Sequence, residues 1–228
     1  MPDDAQSQRL RHLDACAVSD ALDRLGLTGV VLGIRPLGPR RRIAGRAVTV
    51  RLEAATEQLK AEIAARGEHP RHLCTAAVDA SGPGDVIVVA NEGRSDAAGW
   101  GGTLSLGARM RGIEGVIVDG ACRDVDEAFD HDFAVYGSHA VPLTARGRVI
   151  ETGWNETVGF GGLLVSPGDL VIADSSGVVF VSSAHAEAVL GAAEEIVERE
   201  QAMADAVRER RPMAEVMGAN YERLLERA

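Results

Sequence analysis

The sequence predicts an α/β domain with a helical C-terminal region, and three observations lead there. Glycine supplies 26 of the 228 residues, aromatics are only 4%, and the β-branched aliphatics come in short runs, a composition suited to short strands, tight turns and small-residue helices. Between residues 82 and 127 strand-like and helix-like patterns alternate, as in βα units. From residue 184 onward Val189, Ala193, Ile196, Val197, Met203 and Val207 share one face of a long helix. No low-complexity linker divides the chain, so residues 1–183 read as one α/β domain and residues 184–228 as a helical tail packing on the same or a neighbouring subunit.

The charge balance narrows the partners. With 24 Lys+Arg against 34 Asp+Glu the formal charge is −10, which argues against nucleic acid and anionic membrane. No stretch approaches the roughly 18 apolar residues of a membrane span, and the first residues lack an apolar signal core. Cys16, Cys74 and Cys122 are odd in number and far apart, which fits neither a disulfide framework nor a thiolate zinc site and leads us to expect a reducing cytoplasm. Every basic residue but one is arginine, so any chemistry that needs a lysine must use Lys60.

Taken in order, residues 18–25 place Val18, Ala21, Leu22 and Leu25 at helical spacing, with Ser19 or Asp20 to cap the helix and Gly26 to stop it. A Gly, Pro and Arg-rich stretch over 33–46 leads into the alternating Val48, Val50 and Leu52 of a half-buried strand. Its five arginines, Arg35, Arg40, Arg41, Arg42 and Arg46, read as a solvated loop in so acidic a chain rather than as phosphate ligands. Residues 57–66 form a helix that carries Lys60 and ends at Gly67, and a second short helix covers 71–79. Gly82-Pro83-Gly84-Asp85 turns into a strand over 86–90, and Ser166-Pro167-Gly168-Asp169 turns into another over 170–173. Pro then Gly suits the centre of a type II turn, whose second position takes φ > 0. The echo marks either two equivalent strand starts in one sheet system or a common turn used twice. A short helix over 103–111, closed by Gly112, precedes a buried strand over 115–118 and a loop, Asp119-Gly120-Ala121-Cys122, running into Arg123-Asp124. Further strands are expected at 133–136, 161–165 and 178–181, then the long helix from 184 to Pro212 and a last helical segment from Met213.

Several familiar sites are excluded by spelling: the chain has no GxxxxGK[ST], no HExxH and no GxSxG. Two dinucleotide-like phrases, beginning at Gly99 and Gly159, carry Leu104 and Leu164 where the third glycine belongs. The six histidines, His12, His69, His72, His131, His139 and His185, show no metal-ligand spacing. What remains is the segment 101–127. Its glycines precede a helix, so backbone N–H groups and the positive end of the helix dipole converge on a carboxylate-sized space. After one buried strand, Arg123 offers a planar fork for a carboxylate and Asp124 offers hard oxygens for Mg²⁺ or a similar cation.

The run from Trp100 to Glu127, in which Gly102 is followed by twenty residues and then by Arg123-Asp124-Val-Asp-Glu127, resembles the signature of the RraA-like family. That family includes the class II 4-hydroxy-4-methyl-2-oxoglutarate / 4-carboxy-4-hydroxy-2-oxoadipate aldolases. Ser19-Asp20-Ala21-Leu22, the first PGD turn, and the stretch 167–179 extend the likeness over most of the chain. The resemblance implies a swivelling β/β/α fold assembled as homotrimers or homohexamers, with active sites between subunits. It implies that Gly101, Gly102, Thr103, Leu104 and Arg123 hold the pyruvyl moiety of a 2-keto acid and that Asp124 binds Mg²⁺ or Mn²⁺. An acidic residue on a neighbouring subunit's C-terminal helix reaches the metal through water in such aldolases; of Glu195, Glu198 and Glu200, Glu200 is favoured here. The acidic residue that family aldolases tend to carry after the first glycine is Gly102 in this chain.

Retro-aldol cleavage leaves an electron pair that must be held as an enolate, by a lysine Schiff base or by a divalent metal. Lys60 is expected on a helix away from the glycine and Arg-Asp elements, which favours the metal route with Arg123 and Asp124 as catalytic residues. The expected activity is cleavage of a 4-hydroxy-2-keto acid to pyruvate, with oxaloacetate decarboxylation through the same enolate. The alternatives are a non-catalytic regulator binding a ribonuclease or another protein, as some relatives are named, and a lyase or decarboxylase for another 2-keto acid.

Overall fold

In a computed structural model of the chain, residues 5–67 and 72–218 are described. Two helices open it, α1 (Ala5–Arg11) and α2 (Ala15–Arg24). The cap of α2 is Asp14, whose side chain accepts the Ala17 N–H at 2.9 Å; Ser19 and Asp20 lie inside the helix, because the buried face begins a turn earlier, at Ala15 and Ala17. Gly26 ends it with φ +66°, as expected. Two short strands, β1 (Val30–Val31) and β2 (Arg35–Pro36), precede the long β3 (Ile43–Ala54). Helix α3 (Glu57–Ala65) is capped by the Thr56 hydroxyl and closed at Gly67. The next expected helix begins only at Thr75, as α4 (Thr75–Ala80); Arg71 and His69 lie outside the described residues.

Strands β4 (Asp85–Trp100) and β5 (Gly115–Cys122) flank α5 (Gly102–Met110) and both outrun their expected lengths. The apparent loop 119–122 is strand, because β4 supplies a parallel partner as far as Trp100 opposite Cys122. Then come α6 (Val125–Asp130), β6 (Val135–Gly137), β7 (His139–Ala140) and β8 (Val149–Trp154), the last two of which the sequence pattern misses. The expected strand at 161–165 is a hairpin, β9 (Val158–Phe160) and β10 (Leu163–Val165), turning at Gly161 and Gly162 with φ of +56° and +87°. β11 (Leu170–Ala173), β12 (Val178–Val181), α7 (Ala186–Arg208) and α8 (Met213–Val216) complete the described chain.

One mixed sheet runs in the order β1-β12-β11-β3-β4-β5-β6-β2, with β8 added to β3 and β7 to β5. Its two PGD turns start strands on either side of β3 at the same residue, Arg46, but in opposite directions: β4 leaves Asp85 parallel to β3 and β11 leaves Leu170 antiparallel to it, so the echo is one turn used twice. In each turn the aspartate takes back an N–H three residues earlier, Gly82 to Asp85 at 3.0 Å and Ser166 to Asp169 at 2.8 Å, and the turn glycines take φ of +87° and +85°. The Arg46 guanidinium donates to the Gly168 carbonyl, Arg42 donates to the Leu13 carbonyl, and Arg41 donates to the Glu114 carbonyl. These three arginines of the expected solvated loop staple backbone segments together.

Strand residues alternate between two buried faces. Val50, Ile87, Val89, Val116 and Val118 pack beneath α4, α5 and α6, and Leu170, Ile172, Val179 and Val181 beneath α1, α2 and the first half of α7. The opposite face, with Val86, Val88, Ile117, Val171 and Phe180, closes over the β9–β10 hairpin, where Phe160 meets Phe180 edge-on at 5.3 Å. Burial on both faces explains the continuous apolar runs. The sheet curls toward this second face: Tyr136 on β6 reaches across so that its hydroxyl lies 3.2 Å from the Ala173 carbonyl on β11 and 2.9 Å from that of Arg41. Burial pushes its phenol well up in pKa. Helix α7 buries Ala186, Val189, Leu190, Ala193 and Ile196 within the same chain, held by a bidentate Arg9–Glu194 fork and an Arg24–Glu195 pair.

Tyr136→Phe strips both carbonyls of their shared donor and is expected to cost about 1–3 kcal/mol in urea unfolding, with an unchanged circular dichroism spectrum.

Candidate active site

A cleft of about 470 Å³ opens over the ends of β3, β4, β5 and the start of β8, lined by Gly99–Leu104, Arg123 and Asp124 on one side and by Lys60, His72 and the 144–147 loop on the other. Strand-end clefts of this kind suit ligands because loops and helix N-termini converge there. Four side chains of the lining are formally charged at neutral pH, Lys60, Arg123, Arg146 and Asp124, three of them positive, although the whole chain is acidic.

Parallel pairing sets the Gly-rich segment beside the Arg-Asp pair. Beyond Trp100 opposite Cys122, the Arg123 N–H continues the ladder to the Trp100 carbonyl at 3.0 Å. To reach that register β4 makes an excursion after Ala90: it runs on from Ala90 to Trp100 while β5 advances only from Asp119 to Cys122. Asn91 pins the excursion by donating to the Ala97 carbonyl at 3.0 Å, and Glu92 and Gly93 turn it with φ of +52° and +66°. Trp100, 2% exposed, fixes the strand end by stacking near Phe133 and donating its indole N–H to Ser105 at 2.9 Å.

Asp124 is the centre of the constellation. It adopts left-handed φ and ψ of 54° and 42° at the N-cap of α6, a conformation Asp tolerates better than most residues and one that concentrates at functional sites. Its Oδ2 accepts the Gly102 N–H at 3.1 Å and the Arg123 Nε–H at 2.9 Å. The side chain stays 29% exposed, and among the described residues its Oδ1 accepts no hydrogen bond. The two terminal nitrogens of Arg123, a residue that lines the cleft, likewise have no protein acceptor among the described residues.

The sequence-derived cradle needs one correction. The N–H of Gly102 is committed to Asp124, so the first-turn donors left to a ligand are those of Thr103 and Leu104. Both glycines answer to close approach. A Cβ at Gly101 would stand 2.9 Å from Asp124 Oδ2, and one at Gly102 would stand 1.7 Å from Glu127 Oε2 and 3.1 Å from Glu127 Cβ. The room an acidic side chain at 102 would need is therefore taken by the Glu127 carboxylate.

Lys60 needs the second correction. It does lie on a helix, α3, but that helix follows β3 and forms a wall of the same cleft, because the strand it leaves runs parallel to β4. Its ammonium pairs with Glu57 at 2.7 Å, and the side chain is 44% exposed. His72, the 144–147 loop, and Val149 and Ile150 of β8 also line the cleft, and no local signal in the sequence marks them. Buried Glu151 on β8 accepts the Cys74 N–H at 2.6 Å and so holds the segment behind His72 and Leu73 in place. Burial pushes the Cys74 and Cys122 thiols up, so neither supplies a thiolate nucleophile. Glu200 is absent from the lining of its own chain's cleft; partial burial, with Asp14 and Asp20 nearby, pushes its carboxyl up.

Gly102→Ala is expected to destabilise the protein by about 1 kcal/mol by displacing Glu127. In a Glu127→Ala background the same change should cost less, since only the contact with the Cβ at 127 remains. Urea unfolding of the four proteins in the cycle measures this, and equal effects in both backgrounds would contradict the clash.

Residues 15–180 match the family described as RraA-like, Aldolase/RraA. Protein DlpA of Legionella pneumophila is 28% identical over 174 residues, which are 76% of this chain but 27% of DlpA, so the chain spans about a quarter of that relative's length. A protein of Halalkalibacterium halodurans named "Putative 4-hydroxy-4-methyl-2-oxoglutarate aldolase" is 31% identical over 182 residues, 80% of this chain and 79% of that protein. The crystal structure of an uncharacterized protein from Pseudomonas syringae pv. tomato superposes with a TM-score of 0.81 at 26% identity, covering 94% of this chain and 97% of that one. By the family match and by a fold shared over nearly its whole length, this chain belongs to the RraA-like family.

Proposed function

We propose that the protein is a divalent-metal-dependent aldolase that cleaves a 4-hydroxy-2-keto acid, such as 4-hydroxy-4-methyl-2-oxoglutarate, to pyruvate and a second keto acid. The observation that carries this reading is the convergence, at one end of one cleft, of the Arg123 terminal nitrogens, the Asp124 carboxylate and the Thr103 and Leu104 N–H groups. The aldolase name of a relative that matches four fifths of the chain supports it.

The residues fit a hard divalent cation. Asp124 offers one carboxylate oxygen without a protein donor, and no group of three His, Cys, Asp or Glu side chains forms a cage among the described residues. A single protein oxygen suits Mg²⁺ or Mn²⁺, which keep most of their shell for water and substrate oxygens. When bound, such a cation supplies Lewis acidity to the developing enolate.

The chain's own residues do the rest. Arg123 binds the C1 carboxylate of the 2-keto acid with its terminal nitrogens, a match of fork to carboxylate. The Thr103 and Leu104 N–H groups, at the positive end of α5, face the oxygen on which negative charge grows. Gly102 and the Arg123 Nε hold Asp124 in one orientation, leaving its other oxygen for the cation. Cleavage breaks the C3–C4 bond as the C4 hydroxyl passes its proton to a water in the cleft and C4 becomes the carbonyl of the second keto acid; the electron pair of the broken bond passes to the enolate, and a proton returned from water to C3 yields the methyl group of pyruvate. The same enolate accounts for oxaloacetate decarboxylation. In a homotrimer or homohexamer, Glu200 of a neighbouring copy would approach the cation through water. The Schiff-base route fits less well even with Lys60 in the cleft, because an amine nucleophile calls for desolvation or a cationic neighbour, and Lys60 is exposed beside Glu57.

Arg123→Ala and Asp124→Ala are each expected to lower kcat/KM for pyruvate release by about 10²-fold or more while the circular dichroism spectrum is unchanged. EDTA should abolish turnover and Mg²⁺ or Mn²⁺ restore it, and borohydride with pyruvate should leave Lys60 unmodified. Turnover that survives both substitutions overturns the assignment. A wild-type protein silent across a panel of 4-hydroxy-2-keto acids, yet retained by a ribonuclease, would instead support a non-catalytic regulator.

A further inference from the structure

Retro-aldol cleavage needs a group that takes up the C4 hydroxyl proton, and few side chains of the cleft are suited to it. The guanidiniums of Arg123 and Arg146 stay protonated. Lys60 is the ammonium partner of Glu57 at 2.7 Å. Asp124 spends one oxygen on the Gly102 N–H and the Arg123 Nε–H and keeps the other for the cation. Thr144 Oγ1 already accepts the Arg146 N–H at 3.2 Å, and a threonine hydroxyl, there or at Thr103, is a poor general base. That leaves His72, the one histidine among the described residues that line the cleft. Imidazole is the side chain that most often both takes and gives a proton in neutral water.

His72 is held by its backbone and left free at its ring. Its carbonyl accepts the Thr75 hydroxyl at 2.8 Å and the Thr75 N–H at 3.3 Å. Leu73 packs against the core under α4 and α5, and Cys74 gives its N–H to buried Glu151 at 2.6 Å and its thiol hydrogen to the Gly99 carbonyl at 3.7 Å. The last bond ties this wall of the cleft to the end of β4, two residues before Gly101, where Asp124 and Arg123 crowd the backbone. Two residues of chain span at most about 7 Å, so His72 and Asp124 both stand close to the short stretch 99–101. Among the described residues the imidazole has no hydrogen-bond or ion-pair partner, and the residue is exposed. A cleft of about 470 Å³ is of the size that encloses a small ligand, and a keto acid held by its C1 carboxylate at Arg123 extends its C4 end toward the other wall.

We propose that His72 is the general base of the retro-aldol step, acting through one water. This rests on the reading of the cleft as the site of a 4-hydroxy-2-keto acid aldolase. The C4 hydroxyl gives its proton to the water as the water gives one to the imidazole; the C4–O bond becomes the carbonyl of the second keto acid, the C3–C4 bond breaks, and its electron pair goes to the enolate. The imidazolium then returns a proton to water, from which C3 is protonated, so base and solvent end as they began. Oxaloacetate carries no C4 hydroxyl, and loss of its C4 as CO₂ reaches the same enolate with no proton removed. His72 therefore serves cleavage and not decarboxylation.

The test sets two reactions and one labelling experiment side by side on the full chain. With Mg²⁺ present, His72→Gln is expected to lower kcat for pyruvate release from 4-hydroxy-4-methyl-2-oxoglutarate by about 10²-fold and oxaloacetate decarboxylation by less than about threefold. In His72→Ala, added imidazole should raise the aldol rate by about tenfold or more and leave decarboxylation as it was. Independently of turnover, diethyl pyrocarbonate should modify His72 in the free protein, as read by peptide mass spectrometry. Bound 2-oxoglutarate, which has no C4 hydroxyl to be cleaved, should protect His72 while exposed His139 and His185 stay reactive. An equal loss of both activities marks a merely structural role and overturns the proposal, as does an aldol rate that His72→Gln leaves unchanged, or a His72 that stays reactive under bound ligand. Arg123→Ala separates this from the aldolase reading, since it should lower both activities. A wild type that cleaves no 4-hydroxy-2-keto acid overturns that reading, and the role of His72 falls with it.

Discussion

The parallel pairing of β4 with β5, carried past its regular register to Trp100 opposite Cys122, is the constraint on which the rest of the site depends. Without the excursion of β4 after Ala90, Gly101 would not stand beside Arg123. The α5 N-terminus would then not point at Asp124. The excursion is itself anchored by Asn91, by two positive-φ residues and by the buried indole of Trp100. Packing beneath α5 and α6 therefore sets the position of three candidate groups at once.

At the centre of this arrangement one carboxylate oxygen serves two donors. Asp124 Oδ2 joins the first turn of α5 to the Arg123 side chain, and among the described residues the other oxygen of this cleft-lining carboxylate accepts no hydrogen bond. Glycine at 101 and 102 follows from the same crowding, since α6 brings Asp124 and Glu127 into the space that side chains there would fill. The departure of Gly102 from the acidic residue common in family aldolases thus has a local steric reason: a carboxylate from α6 already occupies that place.

Charge is distributed against the average. A chain of −10 keeps many of its carboxylates on the outer helices, where Glu187 and Glu194 are held below the usual carboxylate range by Arg9, while the cleft lining carries three cations and one carboxylate. The overall acidic composition says nothing about the local field. That field suits small anions, and it arises because β3, β5 and the start of β8 end on the same side of one sheet.

Sequence alone determined what was local. The type II turns at Gly84 and Gly168, the helix that ends at Gly67, the helix after Gly101, and the strands at 170–173 and 178–181 follow from residue chemistry and periodicity. The Arg123-Asp124 pair and the glycines before it were legible because their spacing is carried within one stretch of chain. Tertiary structure alone decided what depends on distant partners. Residues 119–122 became strand because β4 lies alongside, and β8 formed because β3 offered an edge. Lys60, more than sixty residues before Arg123, was brought to the same cleft by parallel neighbours in a sheet. Short-range pattern carries no information about which strand ends will meet, because burial of both sheet faces and the curl closed by Tyr136 choose the neighbours.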